Sequence, residues 1–256
     1  MARWKSFPYD AAAYTYDTAH LGLVWPRLHT GDLEPWPKDA GAMAAWSLFH
    51  AGSFRASVDA GLAAGGAGIT AANKAQSIYA HYLERDTRAK SKLFQEVARR
   101  AAAQQRAEPK NPNAWYWYAN ALGRYGQTIG VLQALGEGIG GKVKGALERT
   151  IAMAPRHADA HVALGAFHAE VIAHVGGLLA HLQGADAATG IKLFRRALKL
   201  DPRSAIAKLE AARGLPKLDG TLRGEARRLL AAAAATTPLD AMERLDVEAA
   251  RAELRG

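Results

Sequence analysis

The chain has no cysteine, which removes disulfide frameworks, thiol catalysis and thiolate metal sites from the functions open to it. It also lacks an uncharged apolar run of membrane length. The only candidate, Val162 to Leu182, carries His168, Glu170, His174 and His181, a load that a lipid-facing helix does not tolerate. No Ser sits in a G-x-S-x-G turn or beside a His with an orienting acid, so nucleophilic catalysis has no support. The opening stretch MARWKSFPYDAAAYTYD puts polar and acidic residues where a secretory apolar region would lie. A cytoplasmic, non-membrane protein is expected.

What is present is a chain of 256 residues, 49% apolar and rich in alanine, enough to bury a sizeable core of closely packed helices. The net charge of +9 speaks to acidic partners or nucleic acid, not to fold.

Aromatics and prolines crowd the first 37 residues, with Trp4, Phe7, Tyr9, Tyr14, Tyr16, Trp25 and Trp36 among Pro8, Pro26, Pro35 and Pro37. Asp10 reads as the cap of a helix through AAAYTYDTAHL that Gly31 stops. Residues 1–38 are expected to cover the open end of a helical array, because terminal repeats need an atypical cover. The phrase L-H-T-G-D at 28–32 is echoed by F-H-A-G-S at 49–53, each a tight glycine turn between antiparallel helices. Two short helices then fit 40–50 and 53–64, followed by a pair over 69–84 and 87–107.

Helix pairs of one kind recur after that. A-x-x-H-x-x-L-G-x-x-H opens at Ala158, and Gly190, Phe194, Ala197 and Pro202 close the unit. The closing phrase returns as Val143, Leu147, Thr150 and Pro155, and as Ala226, Leu230, Ala233 and Pro238. This is the punctuation of tetratricopeptide helix-turn-helix repeats. The expected fold is an all-α solenoid of about five hairpins over 39–238, with a C-terminal helix over 239–256. Pro155 and Pro202 are 47 residues apart, longer than the usual 34 of such a repeat. The excess predicts a first helix extending through His181, and Pro109 to Pro155 predicts a similarly long one. Leu164, Val171, Val175, Leu178 and Leu182 would form its apolar stripe.

The segments Trp117-Tyr118-Ala119-Asn120-Ala121-Leu122-Gly123, Leu164-Gly165 with Glu170-Val171, and ATGIKLFRRALKLDPRS resemble the regulator of microtubule dynamics family and its bacterial relatives over about residues 109–215. The resemblance implies a tetratricopeptide-like, all-helical fold.

Three constellations suggest chemistry. G-E-G-I-G-G-K at 136–142 has the Gly-x4-Gly-Lys of a phosphate loop, but Val143 follows Lys142 and no strand precedes it, so an inter-helix loop is expected. Glu170 and His174 are one helical turn apart, whereas His174 and His181 are too far apart along the axis to share one ion. Neither metal nor cofactor is expected. The basic residues Lys192, Arg195, Arg196, Lys199 and Arg203, with a second run of Lys208, Arg213, Lys217, Arg223, Arg227 and Arg228, read as a cationic band. That band suits an acidic protein segment better than nucleic acid, since no aromatic interleaving accompanies it. The leading expectation is therefore a non-enzymatic scaffold binding a peptide or helix in the groove of its array. Trp115, Tyr118, Leu122, Glu170, His174 and His181 are the candidate groove residues. A carrier of an apolar small molecule is the alternative.

Overall fold

A computed structural model gives the fold and describes residues 4–256, with the side chain of Leu178 outside the described residues. Helices are the only regular elements among these residues. In chain order they are α1 (Thr18–Leu28), α2 (Ala40–His50), α3 (Phe54–Ala64), α4 (Gly68–Tyr82), α5 (Thr87–Ala107), α6 (Pro112–Ile129) and α7 (Val131–Gly136). Next come α8 (Ile139–Met153), α9 (Ala158–Leu182), α10 (Ala187–Leu200), α11 (Ala205–Leu218), α12 (Arg223–Ala234) and α13 (Ala241–Arg255). The pairs α2/α3, α4/α5, α6/α8, α9/α10 and α11/α12 pack as hairpins, and each first helix touches a neighbouring pair. This is the expected all-α solenoid.

Polar caps set where the helices start. Asp39, Asp86, Asn111, Asp186, Ser204 and Asp240 each accept a backbone N–H two or three residues on, which satisfies donors the first turn leaves free. The first helix differs from the sequence reading. Asp10 accepts only from the Ala12 N–H, at the start of a 3₁₀ turn over Ala12–Tyr14, and Asp17 is the residue that caps α1.

The closing phrase is buried as its periodicity requires. Gly190, Phe194 and Ala197 face inward on α10, as do Val143, Leu147 and Thr150 on α8. Pro155 and Pro202 sit in turns, and Pro238 lies in the connection before α13. The Leu-Gly of the opening phrase has a steric cause. A methyl on Gly165 would come within 3.1 Å of the Phe194 ring, and one on Gly214 within 2.5 Å. Two glycines on α9 and α11 thus admit one aromatic ring between adjacent repeats.

The extra length of the central units is not helix that stands clear of the array. After Ile129 the chain breaks at Gly130 (φ 98°) and starts α7, which packs on α8 and α9. Inside α9 the helix breaks at Gly176 (φ 75°, ψ 160°). Both conformations lie where a side chain is disfavoured, so glycine lets each helix turn. Leu164 and Val171 of the expected stripe are buried, whereas Leu182, beyond the break, is exposed.

Aromatics of the N-terminal segment pack onto the first hairpins. Trp4 stacks on Tyr79 with centroids 3.9 Å apart, and Phe7 meets Phe54 edge-on. The same end also receives α13. Tyr16 donates to the Leu239 carbonyl at 2.6 Å, Arg27 pairs with Glu243 at 3.0 Å, and Ala241 and Leu245 join the core of α2–α4. The two ends of the array therefore meet.

Candidate functional site: a pocket on the inner face of the array

Successive first helices turn one side to a common hollow of about 190 Å³. On α4, Lys74, Ser77, Ile78, His81 and Tyr82 face it, the i, i+3, i+4, i+7, i+8 spacing of a single helix side. Helix α6 contributes Tyr116, Trp117, Asn120, Gly123 and Arg124; α9 contributes Asp159, Val162, Phe167 and Glu170; α11 adds Glu210 and α13 adds Asp246. Leu135 of α7 with Ile139 and Val143 of α8 forms an apolar wall. The Gly130 break brings α7 to that wall.

A buried charge cluster lies beneath one end of the hollow. Lys74, 2% exposed, donates to Asp32 Oδ2 at 2.6 Å and lies over the rings of Trp46 and Phe49. His29 Nδ1 lies 2.8 Å from Asp32 Oδ1, and His50 Nδ1 lies 2.7 Å from Asp240 Oδ2. Asn113 reaches the same cluster, donating to the Asp32 carbonyl at 3.0 Å and to Glu34 Oε2 at 2.6 Å, while its own Oδ1 meets His157 Nε2 at 2.9 Å. Six stretches distant in sequence are tied together here, so the cluster fixes the floor of the pocket.

The electrostatics follow from burial and sign. Burial works against an ionised Asp32, but Lys74 first and His29 next hold its carboxyl well below the usual range. Burial drives His29 and His157 down to about 4. Glu34 is pushed up to about 8 by burial and then by Asp32. On the pocket wall, burial and then Asp32 raise Asp159 to about 7, and burial, with Asp240 and Glu243 adding to it, raises Asp246 to about 8. Glu210 is the contrary case: Arg124 and Arg213 overcome its burial and lower it. The pocket thus holds two carboxyls poised near neutrality and one fixed carboxylate.

The residues expected from sequence are placed as follows. Glu170 lines the pocket and pairs with Lys217 of α11. Trp115, Tyr118 and Leu122 turn to the opposite side of α6, where all three pack against the α6–α9 core and Trp115 donates to the Pro109 carbonyl at 3.2 Å. Helix α6 is apolar on both sides, so its pattern alone left open which side faces inward; Tyr116, Trp117, Asn120 and Arg124 do. His174 is exposed and held by the Glu170 carbonyl at 2.8 Å, and His181 is exposed beyond the Gly176 break. Lys192, Arg195, Arg196, Lys199 and Arg203 are all exposed on α10 and the turn after it, outside the pocket, with Arg195 paired to Glu225 at 3.3 Å. Among the described residues no three His, Asp or Glu side chains are gathered as a metal ion requires. Lys142 lies exposed on α8, with no strand before its glycines. Lys74 went unnoticed in the sequence although it is the one formally charged residue of α4, a solitary cation in an otherwise neutral helix.

A closed array of helical hairpins enclosing a mixed polar and apolar pocket defines the class, an all-α tetratricopeptide-like repeat protein. Within that class, residues 70–176 match the family described as regulator of microtubule dynamics protein 1-3, and over that stretch the chain is similar to this family. The match begins at α4, earlier than the segment near Pro109 suggested by the motifs, and ends at the Gly176 break. No curated protein matches the chain. No helix among the described residues is long and apolar enough to cross a membrane.

Proposed function

We propose that this chain is a non-enzymatic interaction scaffold that holds a segment of a partner protein in the pocket on its inner face. One observation carries the reading: the pocket is walled by the facing sides of α4, α6, α9 and α11, the first helices of successive hairpins. That is the concave surface through which helical solenoids engage partners. The name of the matching family, a regulator of microtubule dynamics, supports a protein as the class of partner. The exposed cations of α10 lie outside the pocket and offer a separate, salt-sensitive face to an acidic segment.

A photo-crosslinking side chain at Gln127, exposed at the pocket, tests this in the native host. Crosslinks should map to one segment of one protein. They should disappear with Gly123→Met, which fills the pocket, and be absent when the crosslinker is at Lys192. Equal crosslinking from both positions would overturn the reading. Extra bound mass in native mass spectrometry, with no protein crosslinked, would assign the pocket to an apolar small molecule instead.

A further inference from the structure

Buried polar atoms almost always find partners, because a bare one has given up its hydration for nothing. Among the described residues, Ser77 Oγ, Trp117 Nε1 and Asp246 Oδ2 are buried with no hydrogen-bond partner, and all three residues line the one pocket. Ser77 and Asp246 are each 2% exposed and Trp117 is 3% exposed. Asp246 is half satisfied, since Tyr82 donates to its Oδ1. Asp159 lies on the same wall, half-buried, and among the described residues it pairs with no cation.

The chemistry of these groups selects an occupant. Asp246 Oδ2 and Ser77 Oγ lack partners and Asp159 lacks a cation, so a cation entering here would be accepted by all three and would draw the two carboxyls into their ionised form. Trp117 is a donor without an acceptor. Leu135, Ile139 and Val143 provide an apolar wall beside them. A carboxylate ligand would meet Asp159, Glu210 and Asp246, with Arg124 already paired to Glu210 at 3.3 Å. An alkylammonium brings three N–H donors on an apolar stem. When it is the side chain of a peptide, it also brings carbonyls for an indole N–H.

We infer that the pocket is a lysine-binding site, in which the ammonium of a partner's lysine side chain is received by Asp246, Asp159 and Ser77 while Trp117 donates to a carbonyl of the same segment. This rests on the scaffold reading above and names the residue type that the pocket selects.

The test is an NMR titration of the full chain, following the Trp117 indole signal. The probes are butylammonium chloride, 1-butanol and sodium butyrate, then the blocked peptide Gly-Gly-Lys-Gly-Gly and its norleucine counterpart. A charge-assisted hydrogen bond of about 1.5–3 kcal/mol predicts butylammonium binding roughly 10- to 100-fold tighter than butanol. Butyrate should not bind, and the lysine peptide should exceed the norleucine peptide by a similar factor. Asp246→Asn keeps an acceptor for Tyr82, and Ser77→Ala removes a hydroxyl with no partner, so both variants should fold. Each should reduce the preference for the cation. Butanol binding as tightly as butylammonium, or both variants retaining the full preference, overturns the inference. Binding of butylammonium with exclusion of the lysine peptide overturns the lysine assignment in favour of a free alkylamine. Crosslinks to a partner segment without any cation preference would leave the scaffold reading standing and remove this one alone.

Discussion

The Nε2 atoms of His29 and His50 lie 3.3 Å apart, and each ring turns its Nδ1 to an aspartate, Asp32 and Asp240 respectively. If both rings donate from Nδ1 and both are neutral, two bare nitrogens face each other. With His29 neutral and its Nδ1 donating to Asp32, its Nε2 is bare, and the 3.3 Å contact takes its proton from His50 Nε2. Long-range ¹H–¹⁵N correlation at neutral pH should show His29 as its Nδ1–H tautomer and His50 carrying a proton on Nε2. Two neutral tautomers with bare Nε2 atoms would refute the arrangement.

Lys74 and Asp32 should behave as a unit. Removing one partner of a buried pair strands the other charge and typically costs about 3–5 kcal/mol. Lys74→Met and Asp32→Asn are each expected to lose about that much, with methionine tolerated sterically over Trp46 and Phe49. The double variant should lose much less than the sum, leaving a coupling of a few kcal/mol in a denaturation cycle. Additive losses would show that the two side chains do not depend on each other.

The hairpin pattern was legible because its signals are periodic and steric. Leu164-Gly165 and the Gly190-Phe194-Ala197-Pro202 phrase each encode one contact between neighbouring helices. The breaks at Gly130 and Gly176 were not legible, since a glycine in a helical pattern fits a continuous helix as well as an interrupted one. The pocket floor was hidden for another reason. Asp32, Lys74, Asn113 and Asp240 are scattered along the chain, and they meet only because α4 and α6 pack side by side behind the first hairpin and α13 closes onto it. The echo of L-H-T-G-D and F-H-A-G-S did mark His29 and His50, but as turns and not as two rings in contact.

Glu34 gives a pH dependence with a definite sign. Its folded value of about 8 lies above the ordinary 4.5, so the folded state holds the proton more tightly than the unfolded one. Stability from this group is present below pH 4.5 and lost as pH rises toward 8. At 1.36 kcal/mol per unit, the loss by pH 7 is about 3 kcal/mol. Glu34→Gln keeps an acceptor for Asn113 and cannot ionise. Its melting temperature should match the parent near pH 4 and exceed it increasingly toward pH 8. Parallel stability curves for the two proteins across that range would contradict the assignment.

Gly214 and Gly123 are both helical, yet they should respond to substitution in opposite directions. Alanine is favoured over glycine in a helix interior by up to about 1 kcal/mol, so propensity alone would stabilise either variant. At Gly214 the added methyl meets Phe194 Cζ at 2.5 Å, and Phe194 is fully buried between α9 and α11 with no room to withdraw. Overpacking of that kind costs about 1–3 kcal/mol, which outweighs the gain, and Gly214→Ala should melt several degrees lower. At Gly123 a methyl would touch only Val143, at 4.0 Å, and a longer side chain extends into the pocket. Gly123→Met should therefore keep or raise the melting temperature while abolishing occupancy of the pocket. This separates the two duties of the repeat glycines, since one admits a neighbouring ring and the other leaves space for a ligand. A destabilised Gly123→Met would show that α6 approaches its neighbours more closely there than the distance to Val143 indicates.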